Sequence, residues 1–73
     1  MEQFYIVSEI QKDANNNISV LVTEKTDWSE ALSTYYSICA AAAISAIPYH
    51  AANIVADSGI MKMCQVFDRR AEA

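Results

Sequence analysis

The side chains able to do chemistry are few, and most of them fall around one uncharged stretch. His50 is the only histidine, two residues after Pro48, and no serine or cysteine stands beside it in a recognisable nucleophile setting. It reads as a hydrogen-bonded sheet or interface residue, or as a donor to a ligand phosphate or carbonyl. Arg69 and Arg70 form a pair of guanidiniums that suits a phosphate or carboxylate, though a solvated end of the chain also explains them. Tyr35, Tyr36 and Tyr49 each combine a buryable ring with a hydroxyl, which serves core, subunit and ligand contacts alike. With His50 and Asn53 they are expected to line a pocket near the end of a helix, between subunits.

Other chemistries lack their parts. Gly59 is the only glycine, so there is no Gly-rich loop to cradle phosphate. One histidine and two cysteines do not make a four-ligand zinc set, and neither metal nor cofactor is expected. Asp27 and Glu30 stand three residues apart, the spacing of a helix start rather than of an acid–base pair. The formal net charge of −4 opposes non-specific nucleic-acid binding, which needs a basic face to displace counterions. The expectation is a protein that is not an enzyme.

What must position these residues is an unusual middle third. Ala31 to Ala56 contains no Asp, Glu, Lys or Arg, whereas eight charged side chains precede it and six follow. Such a block must be buried in the chain's own core, in a membrane or against another copy. Ser33, Thr34, Ser37, Ser45, Pro48, His50 and Asn53 interrupt it, and a spanning helix needs ~20 predominantly apolar residues. The opening MEQFYIVSEI has neither the basic start nor the apolar run of a signal peptide, so a soluble, intracellular chain is expected. At 73 residues it reads as one domain, 1–73, small enough to lean on a staple. Cys39 and Cys64 are expected as buried free thiols, with pairing left open, which leaves a partner subunit as the staple.

Period-two alternation marks strands at Phe4–Ile10 and Ile18–Glu24, joined by the polar Lys12–Asn17 break. Asn tolerates left-handed backbone angles, so this break can close a hairpin. Asp27 caps a helix expected to run to about Ser45, ahead of Pro48. Leu32, Tyr35, Tyr36, Cys39, Ala42, Ala43 and Ala46 form its expected core stripe. A second apolar set, Ala31, Ile38, Ala41 and Ile44, needs another cover, because a helix apolar all round is buried all round. Ile38, Ala40, Ala41 and Ile44 are therefore the expected oligomer interface, with the Ala40–Ala43 run admitting a second backbone.

Tyr49–Ala56 and Ile60–Phe67 read as two further strands around Asp57-Ser58-Gly59. The last has apolar residues on both faces, which suggests a central strand. Asp68 to Ala73 is expected to fray. The predicted fold is α+β: ββαββ, a four-stranded antiparallel sheet with one helix on one face.

The stretch Glu30-Ala31, Tyr35-Tyr36, Ala40 to Ala43, Ile47-Pro48-Tyr49-His50 and Asp57-Ser58-Gly59 resembles a group of small uncharacterised proteins encoded in phages and prophages of gut Gram-positive bacteria. Members share a hairpin, an E-A-x-x-x-Y-(H/Y) helix start, an Ala-rich helix, a (V/I)-P-x-H turn and a D-x-G hairpin. The resemblance implies a phage origin and the cytoplasm of an infected host; it brings no catalytic residues. The leading expectation is a homo-oligomeric counter-defence protein that sequesters a small nucleotide-derived immune signal. The alternatives are an acidic inhibitor of a host defence nuclease and a phage structural or assembly protein.

Overall fold

A computed structural model describes residues 2–70. The order of elements is β1 (Tyr5–Lys12), β2 (Ile18–Lys25), α1 (Trp28–Ala43), β3 (Tyr49–Ala56) and β4 (Met61–Asp68). The four strands make one antiparallel sheet in the order β2-β1-β3-β4, and the helix packs on a single face. The expected α+β, ββαββ architecture is the one observed.

Local chemistry sets the turns. Asp13 accepts hydrogen bonds from the Asn15 and Asn17 backbone N–H groups, and Asn16 takes the left-handed conformation at φ 66°. The backbone N–H of Asn17 holds the Asp13 carboxyl below its ordinary range. Gly59, at φ 87°, closes the second hairpin, where its N–H bonds to the Ala56 carbonyl. Asp27 caps the helix as predicted: its side chain accepts from the Glu30 N–H and from the Ser29 hydroxyl.

The covered face carries Tyr5 and Val7 of β1 and Ala52, Ile54 and Ala56 of β3. Against them the helix sets Ala31, Tyr35 and Cys39, with Trp28, Leu32 and Ile38 alongside. Met63 and Phe67 extend the cluster from β4, and Trp28 lies against the Tyr5 ring at 5.1 Å. The helix is turned relative to its expected setting. Ala31 and Ile38, assigned outward, face the sheet, whereas Tyr36, Ala43 and Ala46, assigned to the core, are exposed. Two small residues of the helix, Ala31 and Ala42, are fully buried.

β4 is an edge strand, not the central one expected. Its apolar residues divide between the helix side and an uncovered side. A register shift at Ile54/Val55 pairs Met61 with Val55 rather than leaving it in step with Met63. Cys64 is exposed rather than buried; it and the buried Cys39 are both free.

The second face of the sheet has no helix over it. Strand pairing lays Val20, Ile10, Ala51 and Val66 across it in one uncharged row. The next row is Val22, Ser8, Asn53 and Cys64, in which Ser8 donates its hydroxyl to Asn53 Oδ1 at 2.8 Å. Charge is confined to the end rows, with Lys12 and Asp68 at one end and Glu24 at the other.

Candidate functional site

Two polar clusters emerge, one sealed and one open. In the sealed one, Glu9 of β1 and His50 of β3 lie on the covered face, 5% and 3% exposed. His50 Nδ1 stands 2.6 Å from Glu9 Oε2, and Gln11 Nε2 donates to Glu9 Oε1 at 3.1 Å. Donation from Nδ1 to the carboxylate fixes the ring and leaves Nε2 facing protein; among the described residues that atom has no hydrogen-bond partner. Glu9 lies on the same strand parity as Tyr5 and Val7, so a charged residue in step with a core stripe was the available signal for it.

A carboxylate–imidazole pair suggests general-base chemistry, and Cys39 completes the residue types of a thiol nucleophile. Its environment argues the other way. Burial pushes the Cys39 thiol up, outweighing the hydrogen bond with Tyr35, and the Glu9 charge raises it further. A nucleophile needs its thiolate stabilised and within reach of substrate. Here both are opposed. The Tyr35 phenol is likewise pushed up to about 12, first by burial and then by its thiol neighbour.

The open cluster gathers around the end of β4. Arg69, expected to bind a ligand, instead turns back onto the helix. Its guanidinium donates to the carbonyls of Ala42 at 2.7 Å, Ala43 at 3.1 Å, Ser45 at 3.1 Å and Ile47 at 3.3 Å. The last helical turn holds no basic residue, so Arg69 supplies the positive charge that the exposed carbonyls favour. Arg70 points elsewhere. Its Nε and Nη2 each bond to Asp68 at 2.9 Å, and its guanidinium carbon lies 4.4 Å from the centre of the Tyr49 ring. Those hydrogen bonds hold the Asp68 carboxyl at about 2, well below the ordinary carboxylate range. The two guanidiniums thus turn to different partners instead of holding one ligand together, and the expected fraying does not apply to residues 68–70; 71–73 lie outside the described residues.

Beside Arg70 is a shallow hollow lined by Asp13, Ala14, Asn16, Pro48 and Arg70. Tyr49, half-buried, sits opposite Lys12 in the pairing of β1 with β3. Among the described residues no acceptor engages Arg70 Nη1.

The seven residues expected to bind ligand are thus dispersed. Tyr49 and Arg70 touch; Asn53 is on the open face of the sheet, and His50 is sealed under the helix. Tyr35 is buried in the core, and Tyr36, edge-on to it at 5.4 Å, is exposed on the helix. Of the expected interface residues, Ile38 packs against the chain's own core, while Ala40, Ala41 and Ile44 are exposed. Asp13, Ala14, Asn16, Pro48 and Asp68 join the open cluster although none of them was expected to bind ligand. Nothing in their types distinguished them from ordinary turn residues.

Among the described residues no cluster of His, Cys, Asp and Glu is placed to hold a metal ion, and no helix is long and apolar enough to cross a membrane. Neither protein-family models, nor curated proteins, nor solved structures provide a match to this chain.

Proposed function

We propose that this chain is a non-enzymatic, phage-encoded binding protein that works as a homo-oligomer and sequesters a small nucleotide-derived host immune signal. The observation that carries this reading is the Arg70 guanidinium stacked on Tyr49 at the mouth of the hollow. A guanidinium with one uncommitted nitrogen offers a phosphate a charged donor, and an aromatic shelf offers a base a flat surface. Lys12 supplies a second positive charge across the strand pair. The overall negative charge makes recognition depend on this local cationic corner rather than on a broad basic face.

The test is native mass spectrometry and calorimetric titration with a panel of cyclic oligonucleotides. Saturable binding is expected, lost in Arg70→Ala and weakened at least tenfold in Tyr49→Ala. Absence of binding across the panel, or an Arg70→Ala protein that binds as the parent does, would overturn the reading.

A further inference from the structure

The open face of the sheet is built differently from an ordinary solvated face. A half-exposed antiparallel sheet alternates apolar residues toward its core with polar residues toward water. Here the uncovered parity is itself apolar, and on β2 it holds Ile18, Val20 and Val22 while the parity toward the helix holds Ser19, Thr23 and Lys25. Val20, Ile10, Ala51 and Val66 cross all four strands as one row, with Val20 and Val66 more than half exposed. Ser8 and Asn53, the polar residues in the interior of this face, bond to each other and so need no water to satisfy that pair.

We infer that this face, rather than the helix, is where a second copy of the chain docks. The inference rests on the oligomeric part of the proposed function and is independent of its nucleotide ligand. Size supports it first. Four strands spaced ~4.8 Å apart, each of eight residues rising ~3.4 Å, make a face of roughly 500 Å². Two such faces apposed remove roughly 1,000 Å² from water, the area at which association becomes specific.

Charge complementarity supports it second. The arrangement is an apolar centre with a charged rim, the usual anatomy of an interface. Lys12 lies at one end of the face and Glu24 at the other, on neighbouring strands. A twofold axis crossing the strands lays the Lys12 end of one copy over the Glu24 end of the other, the self-complementary pairing an isologous dimer requires. Tyr49 lies in the same end row as Lys12, so the Tyr49–Arg70 shelf falls at the rim of this interface.

Sedimentation velocity and light scattering, run without nucleotide, decide the matter. The parent chain is expected to be a dimer at micromolar concentration. Val66→Glu and Val20→Glu should each weaken the dimer at least tenfold with unchanged circular dichroism, while Ile44→Glu on the helix should leave it intact. Lys12→Glu and Glu24→Lys should each weaken it, and their combination should restore it, which guards against a variant that merely misfolds. A parent that is monomeric throughout, or a dimer that Ile44→Glu breaks and both valine variants spare, would overturn the inference. Because no nucleotide is present, that outcome is separate from a failure to bind one.

Discussion

Glu9 and His50 meet beneath the helix, carboxylate oxygen to imidazole Nδ1 at 2.6 Å, and neither is open to water. The pair supplies the buried polar side chains in a core otherwise built of alanine, valine, isoleucine, tyrosine and Cys39. Removing one partner strands the other without its bond. His50→Ala is expected to destabilise the fold by roughly 3 kcal/mol in urea unfolding, and Glu9→Ala by a similar amount. Replacing both, as Glu9→Met with His50→Leu, should cost less than either single change. A double variant as damaged as the sum of the two would contradict this.

Tyr35 gives the fold an alkaline limit. Its phenol is pushed up to about 12 in the folded state from an ordinary 10.0, so the unfolded chain loses that proton first. The contribution is fully present below pH 10 and is lost as pH rises from 10 toward about 12. Stability measured across that range should fall, and Tyr35→Phe should flatten the fall. An equal slope in the variant would assign the alkaline transition to other groups.

Arg69 and Arg70 are adjacent, yet their substitutions should separate stability from binding. Arg69→Ala frees carbonyls of Ala42, Ala43, Ser45 and Ile47 and is expected to cost about 1–2 kcal/mol in thermal or urea unfolding. Arg70→Ala should leave stability nearly unchanged, since its ion pair is exposed. It should return Asp68 from about 2 toward the ordinary carboxylate range, read by carbon-detected NMR titration. Equal destabilisation by both variants would argue against this division.

The two thiols should differ in reactivity. Cys64 is exposed and Cys39 is buried with its thiol pushed up. In the Val66→Glu variant, whose open sheet face is left uncovered, a maleimide or disulfide reagent should modify Cys64 quickly and Cys39 only on unfolding; in the parent dimer Cys64, in an interior row of the docked face, should react more slowly. Cys64→Ser should abolish the fast phase and Cys39→Ser should spare it.

Much of the fold was legible in the chain. Alternation located all four strands within about two residues, and Tyr49–Ala56 was read with its observed ends. Asp27 announced the helix, and Asn16 and Gly59 closed their turns as residues free to take positive φ. What stayed hidden was orientation. From Ile38 to Ile47 only Ser45 is polar, so nothing in the sequence distinguished one helical face from the next, and a rotation of about 40°, less than half of one residue's step, exchanges Tyr36 for Ala31 in the core. The edge position of β4 was hidden for a related reason. A strand apolar on both faces reads the same whether neighbours flank it or its second face awaits another cover.

The candidate site was legible only in part. Tyr49 and Arg70 were singled out by type, and they do touch. His50 and Arg69 drew attention by the same logic, but their partners are a carboxylate 41 residues away and carbonyls 22 to 27 residues away. Contacts at such separations are set by strand order, which local patterns do not encode.

Strand order also has a consequence in time. β1 is central, paired on one side with β2 across a short turn and on the other with β3, so that Tyr5 meets Ala56. The β1–β2 hairpin can close early, but the second edge of β1 stays bare until the helix has formed and Tyr49–Ala56 has been delivered. Non-local pairings of this kind are slow steps, and a bare, apolar strand edge is adhesive while it waits. The nascent chain thus passes through an interval in which its first-made strand is its least protected part. Slowing synthesis between Asn17 and Tyr49 should lower the soluble yield more than the same delay placed after Ala56.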